Sequence, residues 1–279
     1  MAHKTKGFGE LLEAAGQARG RLCVGIDPHP YLLEKWGLEP TADGLRTFSM
    51  RCVEAFSDTA ALVKPQVAFF ERFGSQGFAV LEDVLASLRE VGCLTVADAK
   101  RGDIGSTMAG YADAWLGDSS PLRADSVTVS PYLGVGALGP VFSKAEETGC
   151  GVFVLAATSN PEARAIQAVP VGEESTIAQG VVDECAALNV AAQKADKPGD
   201  IGVVVGATLD NPPRLDALNG PVLLPGVGAQ GAGPEQVHSI VSARPSLGFA
   251  NVSRAVLEQG PAVADLRKAV NRVAQEFRD

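Results

Sequence analysis

The sequence of 279 residues lacks the features that mark several classes of protein. No apolar run approaches the roughly 18 residues of a membrane-spanning helix, and no basic cluster accompanies the net charge of −9. These absences argue against a membrane protein and against a general binder of nucleic acids or membrane surfaces. A small anionic ligand is still compatible with them, because its site needs only one arginine and a few backbone N–H groups.

Patterns that bind metals or form disulfides are also scarce. The five cysteines stand singly, without a Cys-x-x-Cys pair, and the three histidines lie far apart in the sequence. We therefore expect reduced thiols and neither a disulfide framework nor a metal site. The first ten residues, MAHKTKGFGE, contain no apolar segment of the kind found in secretory signals, which indicates a cytoplasmic protein.

Short apolar runs alternate with longer amphipathic segments along the chain. The runs predict eight strands, over Arg21–Ile26, Ala61–Val67, Cys93–Ala97, Ser126–Val129, Gly151–Ala157, Ile201–Val205, Val222–Leu224 and Leu247–Ala250. The longer segments predict eight helices, over Thr41–Thr59, Gly77–Val91, Ser106–Leu116, Gly136–Thr148, Thr176–Ala195, Asn211–Leu218, Pro234–Ala243 and Pro261–Arg278. This alternation indicates parallel strands joined by crossover helices.

Eight such units in about 250 residues are typical of a (β/α)8 barrel, or TIM barrel. We predict this α/β fold, as a single catalytic domain over residues 1–279. A doubly wound open sheet is the alternative, but it usually has about six strands and a glycine-rich turn after the first. Here GIDPHP follows the first strand. The longest connection without clear periodicity, Thr158–Ser175, is a candidate lid.

One stretch, Thr95–Thr107, places charges where a buried strand ends. Its sequence, TVADAKRGDIGST, holds Asp98, Lys100 and Asp103 within six residues, with glycines between and after them. Side chains alternate along a strand, so Asp98 and Lys100 point to the same side. Charges at such a place must be paired or used. A structural salt-bridge cluster is the simpler interpretation, whereas clustered and perturbed charges favour a functional site.

In a barrel of this kind, the active site lies at the carboxyl ends of the strands. Asp27 ends the first predicted strand, and Lys64 belongs to the second. A glycine-rich loop with Gly228 at its centre, PGVGAQG, follows the seventh strand, and Arg254 follows the eighth. Barrel enzymes often bind phosphate at these last two strands through backbone N–H groups, and arginine adds a fork of donors. We therefore predict a phosphate site here, although a plain turn would also use these glycines.

The charged residues also indicate a reaction. Neighbouring carboxylates keep Lys100 protonated, which suits a proton donor better than a Schiff-base nucleophile. If Asp98 and Asp103 are ionised and close together, they repel a third anion, and a substrate carboxylate pressed against them is relieved by leaving as CO2. We therefore expect a decarboxylation in which Lys100 protonates the resulting carbanion. The sequence shows no motif for a cofactor that would act as an electron sink, so no cofactor is expected.

At these positions the sequence resembles the orotidine 5′-phosphate decarboxylase family. The D-x-K-x-x-D motif is present in its longer and more specific form, DAKRGDIGxT, at residues 98–107. The resemblance extends to GIDP at the first strand, VKPQVAFFE at the second, TSNP at the fifth, PGVGAQG at the seventh and NVSR at the eighth. It therefore covers essentially the whole barrel, and the insertion between Asn160 and Thr176 resembles the longer bacterial members.

The resemblance implies that orotidine 5′-phosphate is converted to UMP and CO2, in de novo pyrimidine biosynthesis, without a metal or other cofactor. Lys100 would donate a proton to C6 of the pyrimidine, and Asp98 would lie beside the scissile carboxylate. Lys64 and Asp27 would hold ribose hydroxyls and complete an alternating Lys-Asp-Lys-Asp array.

The resemblance also implies a homodimer with shared active sites. Asp103 would reach across the interface into the partner's site, with Thr107 close to it. Ser159 would contact the pyrimidine amide, Gln230 would bridge the base side to the phosphate, and Arg254 would bind the phosphate. The glycine-rich loop would close over the ligand.

Two other functions are left open. Sugar-phosphate decarboxylases and aldolases on the same barrel plan also carry D-x-K-x-x-D, but they typically use Mg2+ and a glutamate on strand two. Lys64 belongs to that strand here and would repel a cation, which favours metal-free chemistry. The second alternative is a non-catalytic barrel that senses a phosphate ligand, and the presence of every charged residue of the array speaks against it.

Overall fold

Eight parallel strands form one sheet in the computed structural model, which describes residues 6–173, 175–228 and 231–278. The strands are β1 (Leu22–Ile26), β2 (Leu62–Pro65), β3 (Val96–Arg101), β4 (Ser126–Val129), β5 (Gly151–Ala157), β6 (Ile201–Val205), β7 (Val222–Pro225) and β8 (Gly248–Val252). Their order in the sheet is β2-β1-β8-β7-β6-β5-β4-β3. Parallel bridges from Val63 to Thr95 and from Gln66 to Asp98 join the two end strands. The predicted (β/α)8 barrel in a single domain is confirmed.

Helices surround the strands, most of them on the outside of the barrel. The longer ones are Phe8–Arg19, Ala42–Phe56, Gly74–Glu90, Gly105–Leu116, Gly139–Thr148, Ile177–Leu188, Pro234–Ile240 and Val263–Gln275. Shorter ones are Pro30–Lys35, Val67–Glu71, Arg164–Gln167, Val190–Lys194 and Arg254–Leu257. Each long helix has an apolar face toward the strands, as in Gly74–Glu90, where Val80, Val84 and Leu88 are buried at four-residue spacing. No helix among the described residues is long and apolar enough to cross a membrane.

The structure corrects the sequence prediction in several places. The helix predicted over Asn211–Leu218 is absent, and this connection consists of bends and turns. Pro212 and Pro213 each lack the N–H group that a helix needs, which explains the difference. Strand β3 runs over Val96–Arg101 rather than Cys93–Ala97, so Asp98 and Lys100 lie within the strand. The predicted loop after β5 contains the helix Arg164–Gln167 and a short hairpin of Pro170–Val171 with Ser175–Thr176.

A helix that the sequence pattern did not predict, Phe8–Arg19, closes the amino end of the barrel. Phe8 and Leu12 are buried in the barrel interior together with Leu62, Val96, Phe153, Leu223 and Phe249. The ring of Phe8 meets that of Phe153 edge to face, with 5.9 Å between centroids, a favourable geometry for aromatic pairs. With the amino end closed by this helix, the carboxyl end is the one available for a ligand.

We predict that Phe8→Ala lowers the free energy of unfolding by about 3–5 kcal/mol, because it leaves a cavity among interior side chains. Leu11→Ala is the matched control, since Leu11 lies on the same helix with an exposed side chain, and a change within about 0.5 kcal/mol is expected there. Urea unfolding monitored by circular dichroism measures both values. Equal decreases in the free energy of unfolding of the two variants would contradict the packing of Phe8 in the barrel interior.

Candidate active site

The carboxyl ends of the strands surround a cavity of about 290 Å³. Its lining is polar on the side of β1–β4 and mixed on the side of β5–β8. The lining residues are Asp27, Lys64, Gln66, Asp98, Lys100, Thr128, Leu155, Thr158, Val204, Leu223, Pro225, Gly226, Asn251, Ser253 and Arg254. Five of the residues selected from the sequence therefore meet at one place: Asp27, Lys64, Asp98, Lys100 and Arg254.

Four of these side chains form a row of alternating charge. The Nζ atom of Lys64 lies 3.9 Å from Asp27 Oδ1 and 3.0 Å from Asp98 Oδ2. The Nζ atom of Lys100 lies 2.5 Å from Asp98 Oδ1, so Asp98 and Lys100 point to the same side as predicted. Lys64 is 3% exposed and Asp98 is 8% exposed. Asp98 is thus a buried carboxylate held between two ammonium groups.

The ion pairs keep both buried groups charged. Burial alone would raise the pKa of Asp98, but Lys64 and Lys100 outweigh it and hold this pKa well below its usual range. Burial alone would lower the pKa of Lys64, but Asp98 and Asp27 outweigh it and hold this pKa above its usual range. Beneath the row, burial raises the pKa of the Cys23 thiol to about 12, so Cys23 is a neutral packing residue.

Thr128 on β4 organises this row, and the sequence analysis missed it. Its Oγ1 donates a hydrogen bond to Asp98 Oδ1 at 2.8 Å and accepts one from the backbone N of Lys100 at 2.9 Å. Lys100 has a φ angle of 48°, and this left-handed conformation costs about 1–3 kcal/mol in a residue other than glycine. The sequence feature that could have indicated Thr128 is its hydroxyl group in the otherwise mostly apolar strand SVTV.

Two further cavity residues lie next to positions that the sequence singled out. Gln66 Oε1 accepts a hydrogen bond from Lys64 Nζ at 2.9 Å, and its signal was the KPQ segment at the end of β2. After β5, Thr158 lines the cavity. The predicted Ser159 is exposed, and a Cβ atom on Gly206 would lie 3.0 Å from its backbone N. The structure therefore brings Thr158, and not Ser159, to the cavity wall.

Asp103 and Thr107 lie outside the cavity of their own chain. Asp103 follows the end of β3, and its Oδ1 accepts a hydrogen bond from the backbone N of Ile104 at 2.8 Å. Thr107 is exposed in the first turn of the next helix. Neither residue belongs to the cavity lining of its own chain.

The glycine-rich loop after β7 is described only in part, because Gln230 lies outside the described residues. Gly226 lines the cavity with a φ angle of 100°, and Gly228 is exposed with a φ angle of 70°. The backbone N of Gly228 donates to the carbonyl oxygen of Ala232 at 2.9 Å. These positive φ angles explain the choice of glycine at both positions. The loop lies next to Arg254, as predicted for a phosphate site.

Among the residues that the structure describes, no group of three or more histidine, cysteine, aspartate or glutamate side chains is arranged to hold a metal ion. The five cysteines are free and buried.

We predict that acid destabilises the unliganded protein through Asp98. The folded-state pKa of Asp98 lies below the unfolded value of about 3.9, so its ion pairs stabilise the fold fully above that pH and less as the pH falls further. Lys64 acts in the opposite direction, and its contribution is lost above about pH 10.4, the unfolded value for lysine. Urea unfolding as a function of pH tests this. The free energy of unfolding of an Asp98→Asn variant should fall less steeply at acid pH than that of the wild type. An equally steep fall in both proteins would contradict the assignment to Asp98.

The fold and the site together define a (β/α)8-barrel enzyme with a row of alternating charges at its carboxyl rim. The model of the orotidine 5′-phosphate decarboxylase / HUMPS family matches residues 20–269, and the chain belongs to this family.

Relatives share almost the full length of the chain. The orotidine 5′-phosphate decarboxylase of Corynebacterium efficiens is 62% identical over 273 residues, which cover 98% of each chain. A crystal structure described as an orotidine 5′-phosphate decarboxylase from Streptomyces avermitilis has a TM-score of 0.93 and 48% identity, over 98% of this chain and 95% of that one. The orotidine 5′-phosphate decarboxylase of Leishmania donovani has a TM-score of 0.77 and 30% identity, over 97% of each chain.

Proposed function

We propose that this protein is an orotidine 5′-phosphate decarboxylase, which forms UMP and CO2 in pyrimidine biosynthesis in the cytoplasm, with the whole barrel as one catalytic domain. The observation that carries the proposal is the buried Asp98 carboxylate between two ammonium groups at a cavity. The names and the 62% identity of the relatives support the same substrate.

The charge row suits a heterolytic loss of CO2. With the pyrimidine over Lys100, its carboxylate lies against Asp98, a fixed negative charge that has no room for a second anion. The bond between C6 and the carboxylate breaks, the electron pair stays on C6, and Lys100 Nζ delivers a proton there. Because Lys64, Thr128 and Lys100 already hold Asp98, the site needs little reorganisation as the charge moves.

Binding energy for the reaction comes from the rest of the nucleotide. Arg254 binds the phosphate beside the glycine-rich loop, and Asp27 accepts a hydrogen bond from a ribose hydroxyl. Such contacts lie away from the reacting carbon, yet they fix it against Lys100 and Asp98. Ser159 and Gln230 remain proposed contacts to the base, with Thr158 as a further candidate on the cavity wall.

An exposed apolar patch supports the proposed homodimer. Ile104 follows β3 and is 62% exposed, while Tyr132 and Leu133 follow the neighbouring β4, with Tyr132 78% exposed. Exposed apolar patches of this kind mark protein interfaces. Asp103 lies beside the patch, so an interface here would carry Asp103 and Thr107 to the cavity of the partner.

A metal-dependent sugar-phosphate decarboxylase or aldolase on the same barrel plan is the second candidate function, and the position of Lys64 disfavours it. Its ammonium group occupies the space between Asp27 and Asp98, the two carboxylates that a cation would need. A divalent ion placed there would meet a like charge, which is unfavourable.

We predict that the purified protein consumes orotidine 5′-phosphate in the presence of EDTA, measured by the fall in orotidine absorbance. Lys100→Ala should lower kcat by at least about a thousandfold, since it removes the proton donor, while UMP still binds. No turnover by the wild type would refute the decarboxylase proposal, and turnover abolished by EDTA would favour the metal-dependent candidate. Residual activity of Lys100→Ala within tenfold of the wild type would refute the role of Lys100.

A mixture of two inactive variants tests whether sites are shared. Asp103→Ala and Lys100→Ala each disable every site of their own homodimer, but a mixed dimer has one site with both wild-type residues. We predict that subunit exchange restores activity, up to about a quarter of the wild-type value for random pairing of equal amounts. If exchange is demonstrated by native mass spectrometry and no activity returns, each site is built from one chain.

A further inference from the structure

Asn251 on β8 is the first polar side chain above the apolar interior of the barrel on that strand. Phe249, two residues earlier, belongs to the interior cluster, and alternation along the strand turns Asn251 to the same side. Asn251 pairs with Pro225 on β7 and with Cys23 on β1. It therefore forms part of the cavity wall between the phosphate end and the charge row.

The carboxamide of Asn251 makes no hydrogen bond with any residue that the structure describes. Its Oδ1 is shielded from solvent and has no partner. A buried acceptor without a donor is unfavourable and rare in folded proteins. Asn189 shows the usual arrangement in this chain, because its Nδ2 donates to the carbonyl oxygens of Ile201 and Leu218 and its Oδ1 accepts from the N of Ile201. Asn251 thus lacks a structural role that would explain its amide.

A second acceptor in the lining of the same cavity is also unsatisfied. Asp27 Oδ1 is buried without a hydrogen bond to any residue that the structure describes, and Lys64 Nζ is 3.9 Å away. The ends of β1 and β8 are close, since a Cβ atom on Gly25 would clash with Ser253 Oγ and lie 2.8 Å from Asp27 Oδ1. Two unsatisfied acceptors in the lining of one cavity favour a ligand that brings hydrogen-bond donors into it, and the hydroxyl groups of a sugar do so.

We propose that the carboxamide of Asn251 binds a ribose hydroxyl of the nucleotide, next to the hydroxyl that Asp27 binds. The inference rests on the proposed function, because orotidine 5′-phosphate is the source of the ribose. With the phosphate at Arg254 and the pyrimidine at Lys100, the sugar lies between them, over Asn251. The carboxamide turns readily about its last torsion angle, so its oxygen reaches a hydroxyl hydrogen in the cavity.

Deoxynucleotides test this contact directly. Orotidine 5′-phosphate and its 2′-deoxy and 3′-deoxy analogues are compared as substrates of the wild type and of Asn251→Ala. We expect Asn251→Ala to lower kcat/KM for the ribonucleotide by about tenfold or more, as for a lost hydrogen bond to a substrate hydroxyl. For the one analogue that lacks the bonded hydroxyl, the variant and the wild type should agree within about threefold. Equal losses for all three substrates would overturn the proposal.

Thermal stability distinguishes a binding role of Asn251 from a structural role. Asn251→Leu replaces an unsatisfied amide by an apolar group of similar size, and we expect its Tm to equal or exceed that of the wild type. Asn189→Leu is the matched control and should lower Tm, because it leaves backbone groups of Ile201 and Leu218 unpaired. A fall in Tm for Asn251→Leu as large as that of Asn189→Leu would overturn the proposal.

Equilibrium binding separates this inference from the proposed reaction. Calorimetry with UMP and its 2′-deoxy and 3′-deoxy analogues measures the hydroxyl contact without turnover. If the wild type binds these nucleotides but does not decarboxylate, the proposed reaction fails while the Asn251 contact is still measured. If Asn251→Ala leaves the preference for UMP over both deoxy analogues unchanged, the Asn251 contact fails whatever the activity.

Discussion

The buried carboxylate of Asp98 is the constraint on which the rest of this structure depends. An ionised group with 8% exposure has lost most of its water, and only close opposite charges and hydrogen bonds compensate for that loss. The barrel provides them because β1, β2 and β3 are neighbours around the wall, so Asp27, Lys64 and Asp98 meet in alternating order.

The same compensation explains a strained segment. Lys100 adopts a left-handed backbone conformation within β3, and the pairing of β3 with β4 shifts in register between Ala97 and Arg101. Thr128 holds this irregular backbone and the Asp98 carboxylate with one hydroxyl group. Strain of this kind persists only where the surrounding structure fixes it. The irregularity lies where Lys100 brings its ammonium group to the cavity lining, so the strained backbone is part of the site.

Much of this arrangement could be predicted from the sequence, for reasons that are local. The strands are short apolar runs, and Asp27, Lys64, Asp98, Lys100 and Arg254 stand out as charges at or near strand ends. Which of Thr158 and Ser159 lines the cavity could not be predicted, because successive side chains at the end of a strand point to opposite faces of the sheet. The plug helix Phe8–Arg19 was missed because its apolar contacts lie inside a barrel that only the fold assembles. Thr128 was missed because its partners, Asp98 and Lys100, lie 30 and 28 residues away.

The polar groups of the site fall into two sets, and the division bears on how the site works. Asp98, Lys64, Lys100, Thr128 and Gln66 satisfy one another before any ligand arrives, so their positions are fixed and little reorganisation is needed when charge moves at the reacting carbon. Asp27 Oδ1 and Asn251 Oδ1 have no hydrogen-bond partners among the residues that the structure describes, so in the proposed function they gain bonds from the nucleotide. In the proposed reaction, the first set serves the chemical step and the second serves binding. A site divided in this way uses remote contacts to hold the substrate against a preorganised charge, which is the requirement for binding energy to accelerate a reaction rather than only to tighten a complex.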